Sequence, residues 1–182
     1  MYKVLTIITL LCTSCGWHVV TKDNNQHTLS VPYAYGDGDG LFTSELIAQL
    51  QKESGFDYVQ GTGEYILKVQ LLDTKSENIG FRYDPKKLEN GKKKLIPDEV
   101  RRKLLAKVTI VHAASNKEVA GPAYIMGACE FDHRYYNLSH NINRYSLGQL
   151  TDIDTTYDVV NIPLYRDLAK QIAYWLENTV TL

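Results

Sequence analysis

Three sets of residues in this 182-residue chain carry groups that could do chemistry. The first is a thiol: Cys15 follows Thr13-Ser14, at the end of a mostly apolar run from Val4 to Leu11 that a single cation, Lys3, precedes. A cysteine at the small-residue cleavage point of a secretory signal can take a lipid, so that cutting before it leaves an acylated N-terminus. The second set is cationic: Lys92, Lys93, Lys94, Arg101 and Arg102 lie in a segment, Arg82 to Lys107, with ten basic and four acidic residues. That segment carries +6 and leaves −7 for the rest of a chain whose net charge is −1. Such a field attracts phosphates and other anions. The third set is phenolic: Tyr135, Tyr136 and Tyr145 cluster in a polar stretch. Tyrosines there offer rigid contact area with a polar tip.

Other chemistries find little support. Asp37 and Asp39, between glycines, begin like a calcium loop, but the fifth and twelfth positions counted from Asp37 are Leu41 and Ala48, neither an oxygen ligand. His18, His27, His112, His133 and His140 fall in no metal-ligand spacing. None of the serines sits in a G-x-S-x-G elbow. Glu130, Asp132 and His133 are close in sequence, yet strand neighbours point to opposite faces, so an acid/base pair of Asp132 and His133 is not expected to converge. No enzyme, metal or cofactor is therefore expected. With 44% hydrophobic and 23% charged residues the chain reads as globular. An exported protein with an acidic remainder is not expected to bind nucleic acid.

The elements that would hold these groups follow from periodicity. Residues 1–14 read as a lipoprotein signal, with Cys12 where leucine is usual, residues 15–25 as a lipidated tether, and 26–182 as one domain. The apolar run at the start is too short to span a bilayer, which takes about 20 residues. Gln26 to Tyr35 reads as a strand, with Pro32 placing it near an edge or end. Phe42, Leu46, Ile47 and Leu50 give a helix from Leu41 to Ser54, with Asp39 as its expected cap and Gly55 as its stop. Phe56 to Leu72 reads as a second strand, with Tyr65, Leu67, Val69 and Leu71 on one face and Ile79 to Tyr83 as its extension. Pro85 to Pro97 reads as the exposed link of a long hairpin. Leu104 to Ala113 and Val119 to Phe131 read as the next strands, the latter interrupted by Gly121-Pro122. A polar excursion follows from Asp132 to Thr156. Val160, Leu164, Leu168, Ile172, Trp175 and Leu176 then mark a closing helix with Pro163 in its first turn. The expected fold is an α/β (α+β) sandwich in the order β-α-β-β-β-α. A four-stranded, mostly antiparallel sheet carries two amphipathic helices on one face.

Cys15-Gly16-Trp17-His18 resembles the Cys-Gly-aromatic-His/Gln start of mature LptE, the lipopolysaccharide-assembly lipoprotein family. The similarity continues through Val31-Pro32-Tyr33, the amphipathic helix, the long strands around Arg102 to His112 and the closing helix. The lysine-rich stretch from Pro85 to Lys103 is longer and more basic than that family's pattern, and the Tyr/Asn excursion is unusual for it. The resemblance implies an outer-membrane lipoprotein, anchored at the periplasmic side through Cys15. It would act as plug and assembly partner of an LptD-type β-barrel and contact lipopolysaccharide, without being an enzyme. On that reading Lys92, Lys93, Lys94, Arg101 and Arg102 would meet the glycolipid's phosphates, and Tyr135, Tyr136 and Tyr145 the barrel. The same anchor and fold would serve a pilotin-like or structural envelope module that binds another outer-membrane or periplasmic protein.

Overall fold

A computed structural model describes residues 27–53, 56–87, 93–132 and 153–179. The elements are β1 (Thr28–Ser30), α1 (Leu41–Glu53), β2 (Asp57–Tyr58), β3 (Tyr65–Lys87), β4 (Lys93–His112), β5 (Lys117–Asp132) and α2 (Ile153–Thr179). The α/β class and both helices are as the sequence leads one to expect. The sheet, however, has five strands in the order β2-β1-β3-β4-β5, not four.

The extra strand comes from dividing a run that reads as continuous. Phe56 to Leu72 reads as one strand, yet Asp57 and Tyr58 pair with one side of β1, and the chain re-enters the sheet at Tyr65 to pair with the other side. Glycine permits this turn. Gly61 holds a φ of +123°, and a Cβ on Gly63 would stand 2.8 Å from the backbone nitrogen of Ser30, a contact no side chain tolerates. β1 runs parallel to both neighbours, while β3, β4 and β5 form an antiparallel meander. β1 itself is short. The chain beyond Pro32 returns to β3 only through a bridge between Tyr35 and Gln70.

One face of the meander is buried. Leu67 and Val69 of β3 and Leu104, Ala106, Val108 and Ile110 of β4 alternate inward and share a single core with both helices. From α1 come Phe42, Leu46 and Leu50; from α2 come Leu164, Leu168, Ile172 and Leu176, each at most 1% exposed. Four-residue spacing puts each set on one stripe. α2 crosses β5 so closely that a Cβ on Gly127 would meet the Leu168 backbone nitrogen at 2.7 Å. At the same crossing the Ala128 amide donates to Asp167 Oδ2 at 2.8 Å. The helices are joined by Arg166 Nε on Glu45 Oε1 at 2.9 Å and by an edge-to-face contact of Phe42 with Tyr165, 5.7 Å between centroids.

The start of α1 is fastened by Asp37 more than by the expected Asp39. Buried at 3% exposure, the Asp37 carboxylate accepts the Thr43 amide at 2.8 Å, the Thr43 hydroxyl at 2.5 Å and the Phe42 amide at 3.4 Å. Asp39 accepts the Leu41 amide alone. First-turn amides lack partners inside a helix, and a carboxylate there also meets the positive end of its dipole. Thr43 Oγ1 accepts the Ala34 amide in turn, which ties the helix to the strand before it.

Two further expectations are corrected. α2 starts at Ile153, so Pro163 lies inside the helix and not in its first turn. Proline there forfeits one backbone hydrogen bond, and its exposed position keeps the ring clear of the core. The link expected from Pro85 to Pro97 is largely strand, β3 running to Lys87 and β4 beginning at Lys93. Pro97 lies beyond the last described β4–β5 pair, Glu99 with Asp132, so among the described residues no β5 partner needs its missing amide.

Candidate functional site

Past the Glu99–Asp132 pair, β3 and β4 continue, among the described residues, as a two-stranded ribbon. Its register pairs Phe81 with Pro97, Arg82 with Ile96, and Tyr83 with Leu95. Phe81, Tyr83 and Leu95 share one face of this ribbon and are 54%, 64% and 52% exposed. Arg82 and Ile96 occupy the other face and are half-buried. A bulge between Leu71 and Thr74 lets β3 absorb the polar stretch at 73–78 without losing its pairing.

The five cations singled out from sequence do not form one patch. Lys92 lies outside the described residues. Lys93 opens β4 opposite Lys87, and Lys94 follows it. Arg101 is eight residues further along β4, roughly 26 Å at about 3.3 Å per residue, and it is already occupied. Glu130 of β5 takes its Nε at 2.8 Å and its Nη2 at 2.5 Å, and Glu77 of β3 takes Nη1 at 3.3 Å. Lys103 Nζ reaches the same Glu77 oxygen at 2.6 Å. These contacts follow from the register, Glu77 opposite Arg101 and Arg101 opposite Glu130. The hydrogen bond and charge of Glu130 raise the guanidinium's pKa. The hydrogen bond from Lys103, then its charge and Arg101, draws the Glu77 carboxyl below the usual glutamate range. Arg102 points to the helix face, where its charge opposes the upward shift that burial gives the Tyr165 phenol. The ladder thus neutralises positive charge at the ribbon's base.

Cys15, Tyr135, Tyr136, Tyr145 and His133 lie outside the described residues. Glu130 is committed to Arg101, so it is not poised as a base. Among the described residues no group of three or more His, Cys, Asp or Glu is placed to hold a metal ion. No described helix is long and apolar enough to cross a membrane.

Sequence reasoning passed over a second surface. On the sheet face opposite the helices, a groove of about 410 Å³ opens above Lys68, Gln70, Lys107 and Thr109, with Tyr33 and Tyr35 beside it. Its signal was present as the polar half of the alternation in β3 and β4, which reads simply as a solvated face.

No family model matches the sequence, and no curated protein matches it. Solved structures do. A minor lipoprotein from Acinetobacter baumannii aligns with a TM-score of 0.50 at 15% identity, over 84% of this chain and 91% of that one. The rare lipoprotein B from Shewanella oneidensis aligns with a TM-score of 0.49 at 12% identity, over 84% and 95%. At such identities the likeness to the first is one of fold alone.

Proposed function

We propose that this chain is an envelope lipoprotein, anchored through Cys15 at the periplasmic side of the outer membrane. It assists lipopolysaccharide assembly there as plug and partner of an LptD-type β-barrel. The observation that carries this reading is the ribbon. It extends a helix-backed sheet by a two-stranded arm whose one face is aromatic and whose tip is lysine-rich in sequence. Isolated two-stranded ribbons are marginal in water, so an arm of this kind suits insertion into a partner. The fold likeness to a lipoprotein and the signal-like start of the chain support the same reading. Chemistry on a bound substrate is not part of it. The protein acts by binding and placement.

On this reading the lysines near the tip, Lys92, Lys93 and Lys94, meet glycolipid phosphates directly, and Arg101 and Arg102 contribute through the charge of the segment. Tyr135, Tyr136 and Tyr145 face the barrel. Exchanging the five cations for Gln in the full-length protein should weaken lipopolysaccharide binding, with the three lysines accounting for most of the loss. Unchanged binding would count against the glycolipid contact. Photocrosslinkers at positions 135, 136 and 145 in cells should capture an outer-membrane barrel. Capture of a secretin or a cell-wall protein in its place would favour a pilotin-like role.

A further inference from the structure

The face of the sheet turned away from the helices carries a row of side chains that strand pairing sets in line. Tyr35 bridges to Gln70, Gln70 pairs with Lys107, and Lys107 pairs with Tyr124. One step along the strands, Lys68 lies opposite Thr109. Lys68 and Lys107 are therefore diagonal neighbours on one face, about 7–8 Å apart at the backbone. Neither ammonium has an ion pair or a hydrogen bond among the described residues, nor has Glu118 at the groove's rim. Two cations on one face, with the single carboxylate of Glu118 at the rim, leave a net positive charge that favours an incoming anion.

The walls are set in advance. Tyr35 is locked by its own backbone, its amide on the Val69 carbonyl at 2.9 Å and its carbonyl under the Leu71 amide at 2.8 Å. Its side chain nevertheless remains 75% exposed. The ring of Tyr33 lies against Gly40, where an added Cβ would be 3.4 Å from it. Two exposed rings beside unpaired cations present apolar planes and positive charge together to an incoming ligand.

We infer that this groove binds an anionic saccharide, a short sugar chain bearing one carboxylate or phosphate. At about 410 Å³ it has the size of a small-ligand pocket. Its polar groups are mixed: Gln70 and Thr109 both donate and accept, Glu118 only accepts, and the lysines only donate. Sugar hydroxyls require that mixture. Tyr33 and Tyr35 supply planes for the apolar faces of the rings. Glu118 disfavours a polyanion and leaves a net charge of +1 to match a single acidic group. An acidic peptide fits less well, because the groove lies on the sheet's face and offers no open strand edge to extend. The inference concerns a different surface from the ribbon and does not depend on the barrel.

Titrations of the full-length protein in detergent micelles, followed by calorimetry and by amide shifts in ¹⁵N spectra, would test it. A glucuronate-bearing trisaccharide and a phosphorylated trisaccharide should bind about tenfold more tightly than maltotriose, a factor typical of one charge-assisted hydrogen bond. Lys68→Gln and Lys107→Gln should each remove about that factor, and Tyr35→Ala should weaken acidic and neutral sugars alike by several-fold. Shifts should map to Lys68, Gln70, Lys107 and Thr109. A deacylated glycolipid headgroup and an acidic cell-wall oligosaccharide, titrated in parallel, decide which source supplies the sugar. Binding of neither overturns the inference. So do equal affinity for maltotriose, inorganic phosphate binding as tightly as the acidic sugars, or unchanged affinity in both lysine variants with unfolding curves intact.

Discussion

β3 and β4 pass through two environments along one pair of strands. From Tyr65 to Leu71 and from Leu104 to His112, their inward residues lie in the core with α1 and α2, and Leu67, Val108 and Ile110 are fully buried. From Phe81 to Tyr83 and from Leu95 to Pro97 the same strands have no third strand beside them among the described residues, and Phe81, Tyr83 and Leu95 are each more than half exposed. β3 and β4 pair in both halves, although register shifts flank the far one, so the presence of a pairing partner does not separate them. Side-chain burial does. The near half is a self-sufficient sandwich, and the far half is an arm whose apolar face a partner would have to cover.

The largest expected effect lies in the near half. Leu168 is 0% exposed and its backbone abuts Gly127. Leu168→Ala should cost about 3 kcal/mol of unfolding free energy, in the range for buried leucine truncations, read from urea denaturation. Leu95→Ala, the same truncation on the arm, should stay within about 0.5 kcal/mol. Comparable losses at the two positions would erase the contrast, because they would mean that Leu95 is buried in solution.

A smaller loss is expected at the start of α1. Asp37→Ala removes the acceptor for three donors at a buried site and should cost about 1–2 kcal/mol. Asp39→Ala should cost much less, since Asp39 accepts one amide and is exposed. Reversal of that order in denaturation midpoints would return the capping role to Asp39.

These two carboxylates show how far the sequence could be read. Periodicity found α1, the stripe of α2 and the three long strands, because each buries one regular face. It missed β2 because the regular alternation of Tyr65, Leu67, Val69 and Leu71 was extended back to Phe56, although Phe56 and Tyr58 fall on the opposite phase; the close approach of Gly63 to Ser30 divides the two segments. It placed the cap on Asp39, the nearer residue, because burial of Asp37 depends on Thr43 folding back onto Ala34. It grouped five cations by proximity in sequence, whereas strand geometry puts Arg101 and Arg102 on opposite faces and pairs Arg101 with glutamates 24 and 29 positions away. The groove over Lys68 and Lys107 was illegible for the same reason: its residues meet only through register.

The ladder at the junction of the two halves predicts a modest pH dependence. Glu77 is held below the usual glutamate range by Lys103 and Arg101. A depressed carboxyl contributes stability that is present above its unfolded value, about pH 4.3, and is lost as pH falls through the folded one. Denaturation midpoints should therefore drop more steeply below about pH 4.3 in the parent than in Glu77→Gln. The effect should be small and should shrink in high salt, because the pair is solvent-exposed. Equal slopes in the two proteins would show that the ladder is electrostatically idle.

The smallest effect on stability, and the sharpest on function, is expected at the far end. Phe81→Ser with Tyr83→Ser removes two rings that touch mostly water, so the unfolding midpoint should move by no more than about 0.5 kcal/mol. Exposure makes the pair dispensable to the fold, and it is also what leaves them free for another molecule. If the arm inserts into a partner, the same variant should lose co-purification with its barrel, since buried aromatic anchors carry much of an interface's energy. A variant that folds normally and retains its barrel would leave the arm without that role. A variant that unfolds would show that the ribbon's aromatic face belongs to the core after all, and the division between the two halves would fail.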